Sequence, residues 1–225
     1  LSGLPSRRSL THWMTNGTWI TRMRNPRTIH DFYGFPQELF DVRYPAPGSP
    51  EIADRIRSEI ETPRIGADDE EWGLDHGSWS VLRHLYPKAD IPVLQLSLDM
   101  TRPAGDHLRL GEKLRSLRDQ GILIIGSGNI VHNLSKVDFD DQAKPFPWAV
   151  AFDDWVKERL IQRDYTALAE SATRSEIGKL SVPTPDHWYP LFYPLGASDP
   201  SDSLRFEYEG VENASISMRC FSLGI

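Results

Sequence analysis

GILIIGSGNIVHNL, residues 121–134, is the stretch on which the fold turns. Its first half is a short apolar run closed by Gly126, Ser127 and Gly128. A run of that length, apolar throughout and bounded by glycines, reads as a buried strand. In α/β proteins the loop after such a strand opens into the crevice where ligands and acid/base groups sit. Here that loop delivers His132.

The surroundings extend the pattern. Residues 103–120 form a charged amphipathic segment with Leu110, Leu114 and Leu117 on one side and Gly121 just past its end, which predicts a helix. Residues 91–98 read as a second buried strand. Strand, helix, strand predicts a right-handed parallel crossover. Ser49, Pro50 and Glu51 supply a capping hydroxyl, a first-turn proline and a first-turn acid, and Ile52, Ile56 and Ile60 then recur at helical spacing until Pro63. Ser78 reads as the cap of a helix with Val81, Leu82 and Leu85 on its apolar side, stopped by Pro87. Residues 148–161 predict a helix with Trp148, Phe152, Trp155 and Val156 inward. Residues 165–180 predict a helix and then a loop. Residues 215–221 alternate and predict a late strand, with Cys220 as a small core residue. Strand-like and helix-like segments alternate along the chain, so the fold class is α/β.

The 225 residues suffice for one good core and are short for two domains. A net charge of −7 argues against nucleic acid or an anionic membrane as partner. No apolar run in the sequence is long enough to span a bilayer, and residues 1–11 carry no apolar signal segment, so the expected compartment is cytoplasmic. A single cysteine excludes an intrachain disulfide and a cysteine-rich zinc site. The dinucleotide fingerprint, the P-loop and the G-x-S-x-G elbow are all absent, and Gly126-Ser127-Gly128 lacks nucleophile-elbow spacing.

The histidines carry the remaining chemistry. His84 and His107 lie in charged helical surroundings and read as surface or structural residues. His30, in TIHDFYGFP, reads either as part of a turn in which Asp31 bonds nearby backbone N–H groups or as lining for a pocket, in a supporting role. His76, in WGLDHGSW, stands beside Asp75 at a helix entry. It is either a plain turn residue or a proton donor held by Asp75 or by backbone. His132 and His187, the latter in TPDHWYP, are the strongest ligand candidates, and His12 in THWMT is a fourth residue of interest. No local motif such as H-E-x-x-H joins them. A site built from loops at several strand ends needs none.

Taken together, HWMTNGTWITRM, TIHDFYGFPQELFDVRYPAPGSP, EWGLDHGSWSVLRHLYPKADIPVLQLSLD, GILIIGSGNIVHNL and VPTPDHWYPLFYPLGA resemble the class III extradiol ring-cleavage dioxygenases, in the 4,5-DOPA dioxygenase branch. They stand in the family's order, from about His12 to the C-terminus. The resemblance implies one catalytic domain over residues 1–225, three-layered, with a central, mostly parallel sheet flanked by helices. It implies opening of a catechol ring with dioxygen, the partners being a small catechol substrate and dioxygen. The implied cofactor is Fe(II), with Zn(II) able to occupy the purified protein. Position by position, His12 and His187 match metal ligands. His132 matches a histidine at the metal, either a ligand or the acid/base, and His76 matches a further pocket histidine near the substrate. Trp188, Tyr189 and Phe32 are equally core residues or pocket walls. Arg43 and Lys136 are candidates for a substrate carboxylate.

The family begins with a buried strand ending in an HGSP-type loop that supplies a first metal ligand. No such segment precedes His12 here, and Arg7, Arg8, Ser9, Leu10 and Thr11 make a poor buried strand. The expectation is therefore an N-terminally incomplete domain. The alternative function is a catalytically impaired metal-binding or interaction relative of the family.

Overall fold

The computed structural model describes residues 12–140 and 142–225. The expectation for Arg7–Thr11 lies outside the described residues. Two compact units divide the chain, Leu1–Thr101 and Arg102–Ile225. The fold is α/β, with helices and parallel strand pairs.

In Leu1–Thr101, strand Thr18–Thr21 runs parallel to Ile65–Asp68, and Met14–Thr15 runs parallel to Leu98–Asp99. Helix Pro50–Glu59 packs on the first of these pairs. Its start is the one the sequence predicts: Ser49 Oγ accepts the Ile52 N–H at 3.3 Å, and Pro50 opens the first turn. Ile56 and Ile60 are buried.

Two expectations in this unit need correction. The helix predicted from Ser78 spans His76–Leu85, and its cap is Asp75, which accepts the Ser78 N–H at 3.0 Å. Its inward face is Trp79 and Leu82, packed with Tyr44, Ala46 and Leu74 and, just past its end, half-buried Tyr86, while Val81 and Leu85 are exposed. The buried strand expected over residues 91–98 reduces to Leu98–Asp99. The preceding backbone divides its hydrogen bonds among several partners. Val93 N–H goes to Pro47 O, Gln95 N–H to Thr21 Oγ1 and Ser97 N–H to Trp19 O, each at 2.8 Å. Spread bonding of this kind satisfies the backbone without forming a ladder.

In Arg102–Ile225, the segment predicted over residues 103–120 is helix Ala104–Leu114 followed by a 3-10 turn Arg115–Gln120. Gly121 ends it at φ +75°, a left-handed conformation that glycine adopts without strain. Leu110, Leu114 and Leu117 are buried as the periodicity requires. Helix Pro147–Gln162 places Phe152, Val156 and Leu160 in a core shared with Val131, Leu168, Trp188 and Phe192. Helix Tyr165–Ser171 is followed by a 3-10 turn and a second helix, Glu176–Ser181, where the sequence predicts a loop. Ser175 Oγ caps that second helix by accepting the Gly178 N–H at 3.0 Å.

The strand predicted over residues 121–127 is not assigned as one among the described residues. The parallel crossover through residues 103–120 is accordingly not found, and both parallel pairs lie in the first unit. Residues 215–221 contain Ile216–Ser217, paired antiparallel with Val211–Glu212, and the start of Cys220–Leu223, paired antiparallel with Leu204–Tyr208. Cys220 is exposed rather than in the core. The inward positions here are Ser217 and Arg219, because a buried acid on helix Pro147–Gln162 draws both. Among the described residues no helix is long and apolar enough to cross a membrane.

Candidate active site

In Leu1–Thr101 the sequence-singled histidines His12 and His76 come together. Their rings stack with centroids 6.1 Å apart and planes 10° from parallel. His12 is buried and precedes strand Met14–Thr15. His76 is the first residue of helix His76–Leu85, so the helix start fixes its backbone. The second residue of that helix must be glycine: a Cβ on Gly77 would lie 2.6 Å from His12 Cε1 and 2.7 Å from Nδ1.

The partner that holds His76 is Asp31, not the adjacent Asp75. Asp31 Oδ1 accepts the His76 backbone N–H at 3.0 Å and lies 2.8 Å from its Nδ1. Asp75 is fully buried, capping its helix and bonded to the Gln95 amide. Burial pushes the Asp75 carboxyl up, and the nearby His12 works against that. For His76, burial pulls the imidazole pKa down, but the Asp31 hydrogen bond and the charges of Asp31 and Asp75 outweigh it and raise it from its ordinary value. Phe32 presents an edge to the His76 ring at 5.7 Å and also touches Phe35, Phe40 and Trp79. His30 sits within this aromatic group, with Nε2 3.0 Å from Val42 O. Arg43 bonds the carbonyls of Phe40 and Val42.

In Arg102–Ile225 the other two singled-out histidines meet. His132 and His187 stack with centroids 3.5 Å apart and planes 20° from parallel. Backbone bonds fix His132 from two sides. Its N–H donates to Ser181 O at 2.9 Å at the end of helix Glu176–Ser181, and it bridges Ile216 in antiparallel fashion. Asn133 donates to Leu180 O at 2.7 Å and accepts the Ser135 N–H, closing the turn that follows. The small residues before His132 serve close packing: a Cβ on Gly128 would lie 2.3 Å from His187 O. Trp188 is a core residue, and Tyr189 stacks on His107 at 4.2 Å. His107 is buried, its Nδ1 2.9 Å from the Tyr193 hydroxyl, so of the two readings the structural one holds. Lys136 is exposed at the end of the turn Leu134–Lys136.

Sequence reasoning missed Asp31 as the holder of His76, although the His30-Asp31 pair marked that loop. It also missed the Ser181 and Ile216 clamp on His132, for which no local signal exists.

The family model described as the catalytic LigB subunit of aromatic ring-opening dioxygenase matches residues 10–216. The chain is 46% identical over 216 residues to the 4,5-DOPA dioxygenase extradiol of Escherichia coli (strain K12), a match covering 95% of this chain and 79% of that protein. It is 40% identical over 191 residues to the 4,5-DOPA dioxygenase extradiol of Beta vulgaris, covering 83% and 70%. The crystal structure of an uncharacterized protein from Escherichia coli K12 superposes with a TM-score of 0.81 at 41% identity, covering 94% of this chain and 82% of that one. On that coverage, and with its motif histidines paired in each unit, the chain belongs to the LigB family of aromatic ring-opening dioxygenases, the class III extradiol enzymes.

Proposed function

We propose that this extradiol dioxygenase opens the ring of a catechol-bearing aromatic, DOPA-like or related, with dioxygen and Fe(II). The observation that carries the reading is the ring contact of His132 with His187, which brings two motif histidines from separate segments together.

Imidazole nitrogens suit Fe(II) and Zn(II) alike, so the donor type fits the proposed metal and its replacement by zinc in purified protein. Among the described residues no three His, Cys, Asp or Glu side chains gather as a metal cluster. The proposed ligands in Arg102–Ile225 are His132 and His187, and the proposed ligand in Leu1–Thr101 is His12. When bound, iron supplies the redox chemistry that lets a closed-shell aromatic react with dioxygen.

The chain's own residues supply proton transfer and positioning. With Nδ1 directed at Asp31, His76 keeps Nε2 as an acceptor for a catechol hydroxyl proton, which it can later return. His132, in the alternative where it does not ligate the metal, is the second proposed acid/base. Proton transfer by a positioned side chain contributes roughly 10²–10⁴-fold. The Phe32 edge beside His76 offers a stacking partner for an aromatic ring and excludes water from that side.

The test is anaerobic loading with Fe(II), followed by mixing with a panel of catechols that includes DOPA and with oxygen. A yellow ring-opened product with matching oxygen uptake is expected. Metal bound without product from any catechol would overturn the reading in favour of a metal-binding relative without turnover.

A further inference from the structure

We propose that Ser217 and Asp153 are positioning residues for His132. The inference rests on the reading of His132 as an active-site residue and adds what holds it in place.

Asp153 lies on helix Pro147–Gln162, only 4% exposed, between the core residues Phe152 and Val156. A carboxylate there is costly unless paired. Arg219 pairs it: Nε is 3.1 Å from both carboxylate oxygens and Nη2 bonds Oδ2. The guanidinium also bonds Glu209 and lies 5.2 Å from the Phe206 ring centroid. A buried ion pair contributes little net stability over apolar residues of the same volume. What it contributes here is geometric.

The link to His132 is Ser217. Its Oγ donates to Asp153 Oδ1 at 2.6 Å and accepts the Arg219 N–H at 3.2 Å. Its own N–H donates to Val131 O at 2.9 Å, and its carbonyl accepts Asn129 Nδ2 at 2.8 Å. Every polar group of Ser217 is thereby tied, either to the ion pair or to the segment carrying His132. The Val131 carbonyl and the His132 N–H share one peptide plane. Ser217 holds one end of that plane and Ser181 O holds the other. If Ser217 loses its hydroxyl, its backbone N–H still reaches Val131 O, but residue 217 itself is no longer anchored to Asp153 and the segment is tied to the helix only through Arg219 two residues on, so the plane is held less firmly. A ring stack as close as 3.5 Å tolerates little of that movement.

The experiment uses Ser217→Ala, which removes the hydroxyl and leaves the ion pair. Steady-state kinetics of the iron-loaded enzyme, thermal unfolding, and carbon–proton NMR of the histidine rings in the metal-free protein are read together. His107, stacked on Tyr189 in the same unit, is the internal reference. The expected result is a fall in kcat of about tenfold or more with KM within about twofold. The ring signals of His132 and His187 should move while those of His107 stay. Ser217→Thr, which keeps the hydroxyl, should restore both. If Ser217→Ala does not fold, Ser217→Cys, nearly isosteric but a weak donor, is read in the same way. Unchanged kcat and unchanged His132 and His187 signals, with only a lower Tm, would overturn the proposal. If the wild-type protein turns over no catechol, the proposed function fails, and the ring signals alone decide this one: movement supports it and constancy overturns it.

Discussion

Asp31 Oδ1 meets His76 twice, at 3.0 Å from the backbone N–H and at 2.8 Å from Nδ1 of the ring. One oxygen thus sets the rotamer of the imidazole and places the ring proton on Nδ1. Asp31→Ala should lower kcat about 10–100-fold. Asp31→Asn keeps an acceptor oxygen and should lose less. Steady-state kinetics of the iron-loaded proteins decide it, and equal losses in the two variants would mean that charge rather than orientation is at stake.

Gly77→Ala should damage the site through His12. In an open helix the change from glycine to alanine stabilises by about 1 kcal/mol. Here the new Cβ would lie 2.6 Å from the His12 ring, and overpacking of that kind costs about 1–3 kcal/mol. We expect a lower Tm together with lost turnover. Gly105→Ala, where the nearest atom is the flexible end of Arg109 at 3.5 Å, should instead hold or raise the Tm. Thermal unfolding of both variants checks the contrast.

Metal binding should appear as stability. A ligand at a hundredfold excess over its Kd stabilises by about 2.7 kcal/mol. Zinc added to metal-free protein should raise the Tm accordingly. His132→Ala and His187→Ala should each abolish most of the rise, whereas the exposed His84→Ala should leave it intact. Thermal scans with and without zinc provide the measurement.

A pH effect follows from Asp202. Arg118 grips its carboxylate at 2.7 and 2.9 Å, and this holds the Asp202 pKa below the ordinary carboxylate value against the opposing effect of burial. The folded value lies below the unfolded one, so the stabilisation is complete above the ordinary value and is lost as pH falls through the depressed one. Asp202→Asn should cost about 1–3 kcal/mol near neutral pH and make the acid decline shallower. Urea unfolding from neutral pH down to about pH 2 tests both.

What the sequence disclosed was mostly local. The Ser49-Pro50-Glu51 start and the Phe152–Val156 face need only their own neighbours to be read, and both are found. The four motif histidines were legible because their contexts resemble a family, and the structure pairs them as His12 with His76 and His132 with His187. Asp31 was not legible as the partner of His76, because the two lie on separate elements and Asp75 stood closer in the chain. The inward and outward phase of residues 217–220 was also hidden. Alternation fixes a period but not which side faces in, and the buried Asp153 settled it in favour of Arg219 over Cys220. Residues 121–127 are apolar enough for a strand, but a ladder depends on a neighbour that no local pattern reveals.

That last segment has a consequence for how the protein behaves at high concentration. Leu123 and Ile125 are 46% and 43% exposed on a segment that belongs to no strand, with half-buried Ile122 and Ile124 between and beside them. An apolar segment outside any ladder and open to solvent is a template on which other chains add, and concentrated samples should self-associate through it. Leu123→Lys, a single charge on that exposed segment, should raise the concentration at which light scattering first detects aggregates.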